Sequence, residues 1–176
     1  MASIYTPQTA FLVIDMLNDF VLESAPLEVP AARGIVNNIA SAISEAKQAG
    51  AKVVYVCDAH DPEDKEFSEW PKHCVRGTPG AQVVEGLRHQ QDVLVEKTRY
   101  SGFFGTNLEE VLRRLGVNTL VLGGILTDIC IYFTAADAYM RGYRVAVLTE
   151  GVAALSLEDH QWALRQMERL FNATPV

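Results

Sequence analysis

A chain of 176 residues, 49% hydrophobic and 21% charged, is long enough for a single domain, residues 1–176, with a sizeable core. Its 22 acidic side chains outnumber 15 basic ones, and the formal net charge of −7 excludes the basic face that nucleic acid or an anionic membrane requires. No apolar run approaches the ~20 residues that span a bilayer, Met1 to Pro7 lacks a signal-peptide pattern, and three cysteines make no disulfide framework, so a cytoplasmic location is expected.

Phe11 to Asp15 is the first predicted strand, an apolar run ending in a carboxylate. Asn18, Asp19 and Phe20 follow in a loop, and Pro26 and Pro30 keep the next stretch irregular. The first helix opens at Pro30 or Ala31, carries Ile35, Ile39 and Ile43 on one face, and closes at Gly50. Lys52 to Asp58 is a second strand, again ending in a carboxylate. The polar loop from Ala59 to Gly80, about twenty residues long, exceeds the usual connection, and loops of that length are often functional. Ala81 to Arg88 reads as a short helix, and Asp92 to Lys97 as a third strand, followed by an aromatic and glycine-rich loop over 98–105.

Thr106 and Glu109 have the spacing of a capping box for a helix closed by Gly116. The fourth strand is Leu120 to Leu122, which Gly123 and Gly124 end. Thr127 and Asp128 read as N-caps of a helix running to Gly142, with Cys130 in its first turn, where the helix dipole favours a thiolate. Arg144 to Leu148 is a fifth strand, Ser156 caps a last helix to about Phe171, and Ala173 to Val176 is a short sixth strand. Alternating strands and helices predict an α/β fold: a mainly parallel six-stranded sheet with helices on both faces.

Asp15, Asp58, Lys97 and Cys130 fall at or just beyond the ends of four strands, and in a parallel sheet those ends share one edge, outside which ligands bind. A carboxylate can take the proton of a cysteine, and a lysine can hold that carboxylate ionised. The alternatives are a buried structural cysteine and a structural Asp15–Lys97 ion pair. Asp58, His60 and His73, with Glu66 as a fourth ligand or supporting acceptor, form a set suited to zinc, iron or manganese. Histidines scattered through a polar loop are the other reading. Phe20, Trp70, Tyr100, Phe103 and Phe104 can wall a pocket for a small flat molecule, or belong to the core. His89 and His160 read as surface helix residues.

With these residues assembled, the chain resembles the isochorismatase-like cysteine hydrolases, and among them the nicotinamidases. Four segments carry the likeness: Phe11 to Phe20, Asp58-Ala59-His60 with Trp70 to Thr78, Glu96 to Phe103, and Gly123 to Cys130. The likeness runs from about Phe11 to Ala154, and the histidine segment is what points to nicotinamidase. It implies a three-layer α/β/α fold and a catalytic triad of Asp15, Lys97 and Cys130. It further implies a divalent metal on Asp58, His60 and His73, with Glu66 where some relatives add a ligand; zinc is expected, with iron and manganese open. A cis peptide preceding Leu126 would aim the N–H groups of Leu126 and Cys130 at an oxyanion, and Phe20 and Trp70 would sandwich the substrate ring, with Tyr100 and Phe103 beside it. Relatives assemble as homo-oligomers, so one is expected here. Two departures bear on pocket shape: Ala59 stands where many nicotinamidases carry an aromatic, and the stretch from His60 to His73 is shorter than in several relatives. The competing readings are a hydrolase of a different small amide, carbamoyl compound or isochorismate, and a non-catalytic ligand-binding or thiol-sensing protein. No Gly-x-Gly-x-x-Gly follows the first strand, which argues against a nucleotide-binding domain.

Overall fold

Six strands hydrogen-bond in the order β3-β2-β1-β4-β5-β6, and every pairing is parallel. They are β1 Thr9–Ile14, β2 Lys52–Asp58, β3 Val93–Lys97, β4 Thr119–Ile125, β5 Arg144–Ala153 and β6 Thr174–Pro175. The computed structural model describes residues 3–87 and 92–176; Arg88 and His89, predicted to be helical, lie outside the described residues.

The α-helices are α1 Asn18–Val21, α2 Ala32–Gln48, α3 Leu108–Leu115, α4 Tyr132–Met140 and α5 Leu157–Phe171. Strand residues alternate between two cores. Phe11 and Val13 join Ile35, Ile39 and Ile43 of α2 on one face; Leu12 and Ile14 join Leu108, Leu112, Ala135 and Met167 of α3, α4 and α5 on the other. Both faces of the sheet are therefore covered, which is why the strands read as continuous apolar runs. No helix among the described residues is long and apolar enough to cross a membrane.

The chain reverses its direction of travel across the sheet between β1 and β4, and the carboxyl ends of these neighbours flank a crevice. β4 does not end at its glycines, as expected, but runs through them to Ile125. Gly124 sits at φ +122, and a Cβ there would lie 1.9 Å from the Ile14 carbonyl oxygen, so the glycine permits the backbones of β1 and β4 to close up at their ends.

The predicted capping box also fails to form. Asn107, not Thr106, is the N-cap of α3. The Thr106 hydroxyl donates to the Gly102 carbonyl at 2.5 Å and accepts the Leu108 N–H at 3.2 Å, while Glu109 pairs with Arg113 and Arg141. Residues 81–88 hold only 3₁₀ turns at Pro79–Ala81 and Glu85–Leu87 within the described residues, and residues 18–21 are a short helix where a loop was expected.

Candidate active site

Three strand ends deliver charged side chains to one buried point. Asp15 follows β1 at φ 52, a left-handed conformation that aspartate tolerates better than most residues. Its Oδ1 accepts the Asp58 N–H at 2.8 Å, and its Oδ2 lies 2.7 Å from Lys97 Nζ. Asp58 and Lys97 are paired in register on β2 and β3, and Lys97 donates to Asp58 Oδ1 at 2.6 Å. Lys97 Nζ also reaches Cys130 Sγ at 3.6 Å. All four residues are buried, with Cys130 the most open at 9% exposure. The four strand-end residues read as convergent do meet.

Burial pushes the Asp15 carboxyl up to about 6, and the Asp58 charge adds to this while Lys97 opposes it. Burial pushes the Asp58 carboxyl upward too, but Lys97 and the two imidazoles outweigh it and hold that group well below the usual range. The flanking carboxylates overcome burial and keep Lys97 firmly protonated. The thiol behaves opposite to expectation. Burial, with Asp15 and Asp58, pushes Cys130 well above the ordinary thiol range despite the pull of Lys97. The resting state at neutral pH is thus a neutral thiol beside an ionised carboxylate and an ammonium.

The local backbone also departs from expectation. Cys130 is not in the first turn of a regular helix; it lies in a π-helical turn, Thr127–Ile131, that precedes α4. The N-cap is Leu126, with no capping side chain, and the Leu126 carbonyl accepts the N–H groups of both Ile129 and Ile131 at 3.1 Å. Thr127 is no cap: its hydroxyl meets His160 Nδ1 of α5 at 2.9 Å, so His160 is not the free surface residue expected. The peptide between Ile125 and Leu126 is cis.

The histidines converge on the outer oxygen of Asp58. His60 Nε2 lies 3.7 Å and His73 Nε2 3.8 Å from Asp58 Oδ2. Each ring is fixed through its other nitrogen: His60 Nδ1 donates to Asp64 at 3.1 Å and His73 Nδ1 to the Pro71 carbonyl at 2.7 Å. That division of labour is the habit of metal-binding histidines. His60 Nε2 is buried with no hydrogen-bond partner among the described residues, an arrangement a cation would satisfy. The donor atoms of Asp58, His60 and His73 all lie within 4.8 Å of one another, so the three can hold a metal ion. A short strand-like pairing, His60 N–H to Cys74 O and Arg76 N–H to His60 O, brings the two histidine segments together. Glu66 lies beside them, but Arg99 holds its Oε2 at 3.3 Å.

An open cleft of about 490 Å³ leads to these groups. Phe20, Trp70, Tyr100 and Leu126 line it, together with Cys130, Asp58, Glu66 and His73. Trp70 Nε1 donates to the Tyr100 hydroxyl at 3.1 Å, so two of the predicted wall residues steady each other. Phe103 does not line the cleft: it packs in the core with α3 and α4 and against the Tyr143 ring, with the Arg141 guanidinium 4.8 Å from its face. Phe104 is exposed and does not line the cleft either.

The isochorismatase domain matches residues 9–175. The chain belongs to the isochorismatase family. Among its relatives is an Arabidopsis thaliana protein named Probable inactive nicotinamidase, 36% identical over 96% of this chain and 92% of its own length. The pyrazinamidase of Pyrococcus horikoshii, solved in complex with zinc, superposes with a TM-score of 0.90 at 34% identity, covering 97% of this chain and 99% of that one. The N-carbamoylsarcosine amidase of Thermoplasma acidophilum gives 0.87 at 37% identity, covering 96% and 95%. This isochorismatase-family fold thus comes with more than one amide chemistry among its relatives.

Sequence reasoning missed several supporting residues. Asp64 and Arg99 orient His60 and Glu66, and Asp19 Oδ2 accepts the Cys74 N–H at 2.7 Å beside His73. Each stood near a residue already singled out, Asp64 four after His60, Arg99 two after Lys97 and Asp19 next to Phe20, but the site groups that Arg99 and Asp19 bond lie more than thirty residues away.

Proposed function

We propose that this protein is a cysteine amidohydrolase acting on a small neutral aromatic carboxamide, with nicotinamide, hydrolysed to nicotinate and ammonia, as the first candidate. One observation carries the reading: a thiol, a carboxyl and an amine in mutual reach beneath an aromatic-walled cleft. Asp15 takes the Cys130 proton as Sγ attacks the carboxamide carbon. The N–H groups of Leu126 and Cys130 receive the resulting oxyanion. As the C–N bond breaks, Asp15 returns the proton and ammonia leaves, with the acyl group held as a Cys130 thioester. Water then attacks that carbon, Asp15 accepting its proton and passing it to the departing sulfur. Lys97 keeps Asp15 ionised between steps. Phe20 and Trp70 hold the ring. Asp58, His60 and His73 would hold a divalent cation, with zinc the first choice by their nitrogen and oxygen donors. Such a cation would supply an electropositive anchor for a ring nitrogen.

The cleft also favours a neutral substrate over an acidic one. No Lys or Arg is among the described residues that line it, while Asp58, Glu28 and Glu66 are. Lys97 lies beneath and is already shared by two carboxylates. N-Carbamoylsarcosine is a carboxylate and would have to enter without a basic side chain to receive it. The experiment is ammonia release from nicotinamide, pyrazinamide and N-carbamoylsarcosine, with zinc content measured on the same sample. Turnover of the aromatic amides by the natural protein, and none by Cys130→Ala, is the expected result. A preference for the carbamoyl acid overturns the substrate assignment, and full activity in Cys130→Ala overturns the mechanism.

A further inference from the structure

We propose that His160 is a positioning residue that anchors the catalytic turn, a role that rests on the amidohydrolase reading for its kinetic consequence but not for its geometry. The turn Thr127–Ile131 and its N-cap Leu126 must present a sulfur to the substrate carbon and two backbone amides to its oxygen. A π-helical turn is rare and seldom longer than a single turn, so its shape depends on what holds it from outside. Its N-cap has no side-chain partner, and one carbonyl, that of Leu126, serves two N–H groups. Asp128 bonds its own backbone N–H, and its Oδ1 is buried without a hydrogen-bond partner among the described residues. Cys130 meets Lys97 and Asp15 at the far end of the turn, and the Thr127–His160 hydrogen bond ties its start to another element.

The anchor is itself well held. Thr127 is fully buried, and His160 lies one turn into α5, its N–H donating to the Ser156 carbonyl at 3.1 Å. The Ser156 hydroxyl caps the helix by accepting the Asp159 N–H at 3.1 Å, and Ala163 and Met167 sink α5 into the core. A group fixed on a rigid helix is therefore hydrogen-bonded to the residue directly after Leu126 and three before Cys130. The imidazole is not among the residues lining the cleft and is not one of the metal-holding donors, so its influence runs through Thr127.

The test compares His160→Ala, His160→Asn, His160→Gln and Thr127→Val with the natural protein. The Asn amide reaches the position of Nδ1, which bonds Thr127, whereas the Gln amide reaches that of Nε2. His160→Ala and Thr127→Val should each lower kcat about tenfold or more with KM and zinc content unchanged, as expected when oxyanion donors lose their aim. His160→Asn should restore most of the loss and His160→Gln little. The double variant should be no worse than either single one, because both remove the same bond. A kcat within about twofold of the natural value in both single variants, or losses that multiply in the double variant, overturns the proposal. If the natural protein releases ammonia from no amide, the functional reading fails. The anchor is then judged by hydrogen exchange of peptides spanning 125–131: lost protection in both single variants, with α5 unchanged, sustains it, and unchanged protection overturns it. Should His160→Ala not fold, Thr127→Val carries the same comparison.

Discussion

Lys97→Met removes one ammonium and leaves a side chain of similar length. Lys97 is fully buried with Nζ 2.7 Å from Asp15 and 2.6 Å from Asp58. Each contact is worth about 6 kcal/mol of attraction at an effective dielectric near 20, against which stands the desolvation of three charges. The net cost of stripping a buried carboxylate of its partner is about 3–5 kcal/mol. For a chain of this size that corresponds to a fall in Tm of about 6–20 °C. The loss has a definite pH dependence. Burial already raises Asp15 to about 6, and Lys97 is one of the forces holding it down. Without Lys97 the folded-state pKa rises further above the unfolded value near 3.9, so folding binds a proton at neutral pH. A carboxyl with a raised folded pKa contributes against stability as pH climbs through that value, so the deficit against the natural protein is greatest near pH 8 and shrinks toward pH 6. The assay is thermal or urea unfolding of both proteins, metal-free, at the two pH values. Lys97→Met with Asp15→Asn should recover part of the loss, since one of the stranded charges is gone. Equal stability of Lys97→Met and the natural protein at pH 8, or no benefit from Asp15→Asn, would refute the electrostatic account.

Three other outcomes follow from the same coordinates. His73→Ala removes one of three convergent donors and should weaken zinc binding about tenfold or more, as read by equilibrium dialysis, with the melting curve of the metal-free protein little changed. Gly124→Ala places a Cβ 1.9 Å from a backbone oxygen of β1 that cannot move aside, so little folded protein should accumulate, whereas Gly34→Ala, with nothing within 4 Å, should fold normally. Ammonia release should decline on acidification through the Asp15 pKa, about 6 without metal and lower once a cation neutralises Asp58, because the base acts only when ionised. A rate that rises as pH falls from 7 to 5 contradicts that role.

Much of the fold was legible because the strands are buried on both faces. The runs at 11–14, 53–57 and 145–148 are apolar without alternation, and each lies within a strand of the parallel sheet. Asp15, Asp58 and Lys97 could be assigned to one edge for the same reason: parallel strands put all their carboxyl ends on one side. The errors came where a local signal was overruled by a distant partner. Gly123 and Gly124 read as a strand stop, yet they are strand residues whose missing side chains make room for β1. Thr127 read as a helix cap, but its hydroxyl is taken by His160, 33 residues away. Phe103 read as a pocket wall because it lies in the loop beside the Lys97 strand end, but it packs into the core against α3 and α4.

The sequence by itself determined which chemical groups this protein possesses and which edge of the sheet they occupy, since hydrophobic periodicity fixes strands and strand polarity fixes their ends. The thiol's protonation was decided only by tertiary structure. The helix-start pattern around Cys130 predicts a lowered pKa, but burial beside two carboxylates raises it. Solvent access and the charges of other strands set that balance, and neither is a property of residues adjacent in the chain.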